Sequence, residues 1–134
     1  MELTARFGPV TDPVKFAEVE ESVEWEMTFP GGLKTKCRTS YERSDAHDFT
    51  VTAEKGTFGL NPAYGYNSAR GTRSDGQPIN LPSVNQFEAE MDDFAQCIMN
   101  NKPSKVSGEE GLRDVKIMQA IYQSARTGQP VKLA

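Results

Sequence analysis

The sequence predicts an α+β domain in which a largely antiparallel, open β-sheet carries a pair of C-terminal α-helices packed on one face. Residues 1–84 form short alternating segments broken by Gly and Pro, whereas residues 85–128 have the apolar period of helices. Strands followed by helices are the order expected of an α+β layer. The 134 residues, 37% of them apolar, are enough for one core, so residues 1–134 are predicted to form a single domain.

The clearest strand signal is the alternation of apolar and polar residues from Val23 to Phe29. Pro30-Gly31-Gly32 follows, and Leu33–Tyr41 then carries basic residues at every second position. A period of two sends successive side chains to opposite faces of a sheet, and glycines favour a tight turn. The two segments therefore predict a β-hairpin with one buried face.

The length of the turn decides which residues of this hairpin face each other, because cross-strand neighbours lie on the same face. A two-residue turn at Gly31-Gly32 would place acidic residues opposite Thr35 and Cys37. A three-residue turn, with Gly32 in the left-handed conformation, gives charge-paired and apolar neighbours instead. The resulting pairs are Glu26 with Lys36, Glu24 with Arg38, and Trp25 with Cys37. We therefore predict the three-residue turn.

A second hairpin is predicted from Phe49–Ala53 and Thr57–Leu60, which alternate on either side of a glycine turn. A further strand is predicted at Tyr64–Tyr66. The next extended segment, Gln77–Leu81, contains Pro78, which has no N–H for a sheet ladder. This segment is therefore expected at a sheet edge or in a loop.

The first predicted helix begins at Asn85, which with Glu88 resembles an N-terminal cap, and ends before Pro103. Spacings of four, three and four residues place its apolar side chains on one stripe. The stripe consists of Phe87, Met91, Phe94 and Ile98.

The second predicted helix has the stronger boundary signals. Ser107 and Glu110 match a capping box, and Gly128 and Pro130 end the helix. Its predicted buried stripe consists of Leu112, Val115, Met118, Ile121, Tyr122 and Ala125. The alternating tail, Val131–Leu133, is predicted to add a short strand.

Composition and motifs exclude several function classes. The net charge is -4 and no basic run is present, which argues against nucleic-acid binding. No segment approaches the roughly 18 apolar residues of a membrane span. Cys37 and Cys97 are too few for a disulfide scaffold or a zinc site, so free thiols in a reducing, cytoplasmic compartment are expected. No catalytic motif is found, and we predict no catalytic, cofactor-binding or metal-binding residue.

Two residues have both a structural and a functional interpretation. His47, the only histidine, stands beside Asp45 and Asp48 at the entrance to a strand. It is either a half-exposed residue without a chemical role or a contact for a hydroxylated substrate. Tyr41 is suited to stacking on a sugar, although packing is the commoner role of such a residue.

The chain also contains an ordered set of segments that share a known pattern. They are Glu18–Val23, Phe29–Gly32, Ser40-Tyr41, Ala53–Tyr66, Asn85–Phe94, Ser107–Asp114 and Ile117–Val131. This set, which covers nearly the whole chain, resembles the C-terminal domain of the glucose-fructose oxidoreductase and inositol dehydrogenase (Gfo/Idh/MocA) family.

The resemblance implies a part of an NAD(P)-dependent oxidoreductase of sugars, inositols or related polyols. Members of the family join an N-terminal Rossmann domain to this C-terminal domain, and only the second is matched here. The family's glycine fingerprint and its Glu-Lys-Pro segment with the catalytic lysine are absent. We therefore expect a substrate-binding and oligomerisation domain that is inactive alone, with NAD or NADP bound by the missing Rossmann domain of a longer parent.

The resemblance also implies partners and site residues. Tyr41, and more weakly Arg43 and His47, are expected to contact a small polyhydroxylated substrate. The open sheet face is expected to form a homodimer or higher oligomer. Export of the parent is left open. The alternative is an independent binding or dimerisation module with no oxidoreductase role.

Overall fold

The structure is a computed structural model that describes residues 1–44, 46–66 and 69–133. Asp45, which neighbours His47 in the sequence, lies outside the described residues. The chain folds into two compact units. The first unit combines residues 1–43 with the residues from 106 onward, and the second unit is formed by residues 44–105.

The strands of the described residues form two four-stranded antiparallel sheets. In chain order the elements are β1 (Glu2–Phe7), β2 (Ser22–Thr28), β3 (Lys34–Ser40), β4 (Phe49–Ala53), β5 (Gly56–Leu60), β6 (Arg70–Arg73), β7 (Pro78–Asn80), α1 (Gln86–Met99), α2 (Gly108–Thr127) and β8 (Val131–Lys132). The strand order is β3-β2-β1-β8 in the first unit and β4-β5-β6-β7 in the second. The predicted α+β class, with antiparallel strands and C-terminal helices, is confirmed.

The predicted register of the first hairpin is confirmed. Glu26 faces Lys36, Glu24 faces Arg38 and Trp25 faces Cys37. The N–H of Phe29 donates to the carbonyl of Leu33 at 2.8 Å, so three residues form the turn. Gly32 has a φ of 89°, a value that a side chain would strain.

The central strand of the first sheet, β1, was not predicted. It lies between β2 and β8, and its Leu3 is fully buried. Leu3, Ala5 and Phe7 alternate with polar residues, which is the same signal that identified β2. The predicted tail strand is confirmed as β8, which pairs with β1 at Glu2 and Leu3.

The helix α2 covers one face of the first sheet. Leu3, Val23 and Ile121 form the buried core there, with Ala5, Trp25, Met27 and Ile117 packed around it. The opposite face is charged: Arg6 pairs with Glu24 at 2.6 Å, and Lys36 pairs with Glu26 at 2.9 Å. The first unit thus has one apolar, covered sheet face and one polar, open face.

Only the C-terminal half of α2 is buried. Its buried residues are Ala120, Ile121 and Ser124, whereas the predicted stripe residues Leu112, Val115 and Met118 are each at least half exposed, so that part of the prediction is wrong. A helix of 20 residues is about 30 Å long and a strand of six residues about 20 Å, so part of the helix extends past the sheet.

The boundaries of α2 agree with the sequence in part. Gly128 ends the helix in the left-handed conformation, as predicted, and its N–H donates to the carbonyl of Ser124 at 2.8 Å. Ser107 is the N-cap residue but its side chain makes no capping hydrogen bond. Glu110 instead pairs with Arg113, so the predicted capping box is not formed.

In the second unit, the prediction of a strand at Tyr64–Tyr66 is wrong, since the chain bends there. The strand that pairs with β5 after this bend is β6. Pro78 lies in β7 at the sheet edge, as expected.

Asn85 caps α1 by accepting a hydrogen bond from the N–H of Glu88 at 3.4 Å. The apolar stripe of α1 is more than half exposed along its length.

Candidate functional site

Three strand ends meet at one edge of the first sheet. Because β1, β2 and β3 are antiparallel neighbours, the end of β1, the start of β2 and the end of β3 lie side by side. The C-terminal half of α2 reaches the same edge through the ring of Tyr122, whose centroid is 5.8 Å from that of Phe7. We call this edge the rim; its residues are Phe7, Phe16, Glu20, Tyr41 and Tyr122.

The loop between β1 and β2 builds one side of the rim. The Asp12 carboxylate accepts hydrogen bonds from the N–H groups of Val14 and Lys15 at 3.1 and 2.9 Å. This short-range capping turns the chain so that Phe16, although it is in a loop, is buried. The loop therefore contributes an apolar side chain to the rim.

Glu21 connects the loop between β1 and β2 to the first sheet through hydrogen bonds. Its side chain is 5% exposed, and its carboxylate accepts from the N–H and the hydroxyl of Thr11 at 2.6 and 2.9 Å. These bonds, the backbone one foremost, lower the pKa of Glu21 below its usual value, since they stabilise the ionised form. The carbonyl of Glu21 also accepts from the N–H of Tyr41 at 3.0 Å. Glu21 therefore holds both the loop and Tyr41 in place.

Tyr41 directly follows β3 and is 73% exposed. The ring packs against Phe16, with 5.8 Å between the centroids. Below them, Lys15 places its Nζ 4.8 Å from the Phe16 ring and 3.2 Å from a carboxylate oxygen of Glu42. Tyr41 thus has apolar support from Phe16 and presents most of its surface to solvent.

Tyr122 joins Glu20 to this edge. Its hydroxyl donates to the Glu20 carboxylate, a hydrogen bond that raises the pKa of Tyr122 above its usual value. Tyr41 adds to this rise. The guanidinium carbon of Arg126 lies 5.5 Å from the Tyr122 ring centroid and acts in the opposite direction on the pKa.

The structure places the predicted site residues in two units. Tyr41 and Arg43 lie in the first unit, at and just after the end of β3, and both are exposed. His47 lies in the second unit before β4; it is exposed, and its carbonyl accepts from the N–H of Ala63. Their predicted contact with a substrate stays a prediction.

Neither Glu20 nor Phe16 was predicted from the sequence as a site residue, and Tyr122 was predicted to be a core residue. No local pattern marks Glu20, because its partner Tyr122 is 102 residues away.

The described residues do not fit a nicotinamide dinucleotide. A dinucleotide site needs parallel strands with a helix N-terminus at the phosphates, and every strand pair here is antiparallel. Within residues 1–44, 46–66 and 69–133, no group of three or more His, Cys, Asp or Glu side chains is placed to hold a metal ion. No helix in these same ranges is long and apolar enough to cross a membrane.

Comparison with known proteins identifies the class. A family model described as the C-terminal alpha/beta domain of an oxidoreductase family matches residues 2–133. The chain therefore belongs to the Gfo/Idh/MocA oxidoreductase family, of which it represents the C-terminal domain, and the resemblance seen in the sequence is confirmed.

Individual relatives agree with this assignment. The chain is 26% identical to a D-xylose 1-dehydrogenase [NADP(+)] of Haloarcula marismortui, covering 97% of this chain and 41% of that protein. It superposes on the aldose-aldose oxidoreductase of Caulobacter crescentus, solved with glycerol, with a TM-score of 0.84 and 30% identity over 98% of this chain and 41% of that one. An oxidoreductase domain protein from Kribbella flavida shares the fold, with a TM-score of 0.71 at 15% identity, covering 99% of this chain and 44% of that one. The chain spans about two fifths of the length of these relatives.

Proposed function

We propose that this chain is the substrate-binding and dimerisation domain of an NAD(P)-dependent oxidoreductase that acts on a sugar, inositol or related polyol. The observation that carries the proposal is the family match over residues 2–133. Two relatives support the substrate class, since one is named for D-xylose and NADP(+) and another for aldoses. The chain spans only about two fifths of their length, and we assign binding of the nucleotide to a part of the protein outside this domain.

The chemistry of hydride transfer indicates which role belongs to this chain and which to the part of the protein that binds the nucleotide. Hydride transfer requires a nicotinamide held against the carbon that is oxidised, and the part of the chain that the structure describes forms no fold for the dinucleotide. Its contribution is to bind and orient the polyol. Tyr41 and Arg43, which follow β3 in the first unit, are proposed substrate contacts, and His47 is separately proposed as one in the second unit, as the family resemblance implies.

The test of this function is a chimaera. The matching part of the Haloarcula D-xylose 1-dehydrogenase, which is named for NADP(+), is replaced by this chain, and oxidation of a panel of aldoses, inositols and glycerol is followed by NADPH formation. Activity on at least one of these compounds supports the proposal. A folded chimaera that binds NADP but turns over none of them refutes it and favours the alternative of an independent module.

The chain alone gives a second check. Titration of NADH or NADPH into the isolated polypeptide is expected to show no saturable binding. Tight stoichiometric binding would show that the nucleotide site is here, which contradicts the proposed division of labour.

The dimerisation part of the proposal rests on the second sheet. One of its faces is apolar along the paired strands, and Val51 and Phe58, which face each other, are 36% and 41% exposed. The apolar residues of this face are Phe49, Val51, Phe58, Leu60 and Ile79. An exposed apolar sheet face favours association, whereas the open face of the first sheet is charged.

Two neighbouring residues provide a matched test of the dimer. Val51 lies on the apolar face, and Thr52, the next residue, lies on the opposite face. We expect sedimentation to show a dimer for the native chain and for Thr52→Lys, and a monomer for Val51→Lys. A monomeric native chain at tens of micromolar, or equal behaviour of the two variants, contradicts the proposal.

A further inference from the structure

The rim contains a hydrogen-bond acceptor with unused capacity. Glu20 lies two residues before β2 and is half-buried, and its carboxylate accepts a hydrogen bond from the hydroxyl of Tyr122. An ionised carboxylate has about four lone-pair positions on its two oxygens. Among residues 1–44, 46–66 and 69–133, Tyr122 is the one donor to this carboxylate; its hydrogen bond fixes the orientation of the carboxylate and leaves acceptor positions for the hydroxyl groups of a ligand.

The same edge contains a flat apolar surface. Tyr41 is 73% exposed, but its position is determined by the packing of its ring on the buried Phe16 and by the hydrogen bond from its N–H to Glu21. A tyrosine has only two side-chain torsions, so little conformational entropy is lost when its ring packs against a ligand. The C–H face of a sugar or polyol is apolar and matches such a ring.

The charges of the rim select the class of ligand. Glu20 contributes a carboxylate that accepts from the Tyr122 hydroxyl, and Glu42, next to Tyr41, is paired with Lys15. A phosphate or carboxylate ligand brought to Glu20 would meet a like charge, whereas a neutral polyol supplies hydroxyl donors. Arg126, over the Tyr122 ring, can donate hydrogen bonds to the oxygens of the same ligand.

We propose that Glu20, Tyr122 and Tyr41 form a binding site for a neutral polyol at the rim of the first sheet. Glu20 accepts hydrogen bonds from two neighbouring hydroxyls, Tyr122 holds the carboxylate, and the Tyr41 ring lies against the C–H face. The substrate class rests on the proposed function, but the site is defined by contacts within the first unit alone. Because the site is open to solvent, its dissociation constant for a single sugar is expected to be in the millimolar range.

The experiment is an NMR titration of the isolated chain with D-xylose and with glycerol. Saturable shifts are expected at the backbone amides of Glu20 and Tyr41 and at the ring signals of Tyr41 and Tyr122. Glu20→Ala and Tyr41→Ala are each expected to weaken binding about tenfold. Tyr41→Phe, which keeps the ring, is expected to retain most of the affinity.

A matched control is available in the same loop. Glu18 is exposed and two residues from Glu20, so Glu18→Ala is expected to leave binding unchanged. The dispersion of the amide spectrum shows whether each variant is folded. Absence of saturable shifts in the native chain, shifts that map away from the rim, or equal binding by Glu20→Ala overturns the inference. Tighter binding of xylose 5-phosphate than of xylose also overturns it, because it contradicts the charge argument.

The chimaera separates this inference from the proposed function. If it oxidises a sugar with a KM that neither Glu20→Ala nor Tyr41→Ala changes, the rim site is wrong and the function stands. If the chimaera is inactive while the isolated chain binds polyols at the rim, the function is wrong and the site stands.

Discussion

The hydroxyl of Ser124 accepts a hydrogen bond from the backbone N–H of Ala5 at 2.9 Å and donates one to the carbonyl of Gln129 at 2.8 Å. The strand β8 pairs with β1 only at Glu2 and Leu3, so it ends before it reaches Ala5. A side chain of α2 thus satisfies an N–H that the sheet leaves unpaired. Ser124 is almost completely buried and connects α2, β1 and the segment before β8.

Ser124→Ala is therefore expected to destabilise the first unit. It leaves the Ala5 N–H and the Gln129 carbonyl without a partner in a buried place, which costs about 1–3 kcal/mol in the free energy of unfolding. Urea unfolding followed by the fluorescence of Trp25, the chain's one tryptophan, reports on this unit. Ser83→Ala, at an exposed position, is the control and should stay within about 0.5 kcal/mol of the native chain. Equal effects of the two substitutions would contradict the role given to Ser124.

The stability of the first unit is expected to fall at acidic pH because of Glu21. Its folded pKa lies below the usual 4.5, chiefly because of the hydrogen bond from the Thr11 N–H. A lowered folded pKa adds stability above the unfolded pKa, and this stability is lost as the pH falls through the folded value. The urea midpoint should therefore decrease below about pH 4.5, and Glu21→Gln should make this decrease smaller. If Glu21→Gln and the exposed control Glu18→Gln have the same acid dependence, the bonds of Glu21 to Thr11 do not act as described.

Local signals explain why the first hairpin could be predicted in detail. The alternating charges of β2 and β3 and the two glycines of the turn lie within 20 residues of each other, and cross-strand pairing alone distinguishes the two registers. The central strand β1 carried the same alternation but was not recognised. β6, in contrast, has the sequence Arg-Gly-Thr-Arg and no apolar residue, so hydrophobic periodicity could not find it. Its Gly71 lies so close to β5 that a Cβ would be 1.9 Å from the Gly59 carbonyl oxygen.

The residues of the rim show which parts of the candidate site could be predicted from the sequence and which could not. Tyr41 was selected from the sequence, since it ends a predicted strand in a segment that resembles the family. Glu20 and Tyr122 meet only because β2 and α2 pack in the same unit, 102 residues apart in the chain. How much of α2 is buried depends on how far the sheet extends beneath the helix. Helical periodicity carries no information about that distance.

Tyr122 is expected to ionise late in a titration of the four tyrosines followed by ultraviolet absorbance. The hydrogen bond to Glu20 raises its pKa above the usual 10.0, because that bond favours the protonated phenol and the carboxylate opposes a second negative charge. Glu20→Gln should lower the pKa toward 10.0, and Tyr122→Phe should remove the late step. Arg126→Ala should raise the pKa further, since the guanidinium lowers it. An unchanged titration in Glu20→Gln would show that the Glu20–Tyr122 hydrogen bond is not formed in solution, and the rim site would lose its fixed carboxylate.

Replacing each of two glycines by alanine is expected to change the free energy of unfolding of the first unit in opposite directions. Gly32, in the turn between β2 and β3, has a φ of 89°, and Gly111, in the first part of α2, has helical geometry. At neither position would an added Cβ meet another atom within 4 Å, so only backbone conformation distinguishes them. Gly32→Ala forces an alanine into the left-handed region and should destabilise the first unit by about 1 kcal/mol. Gly111→Ala should stabilise it by about 0.5–1 kcal/mol, because alanine loses less backbone entropy in a helix. Urea unfolding followed by Trp25 fluorescence measures both, and destabilisation by Gly111→Ala would indicate that the exposed start of α2 has contacts in solution that the fold of this unit does not include.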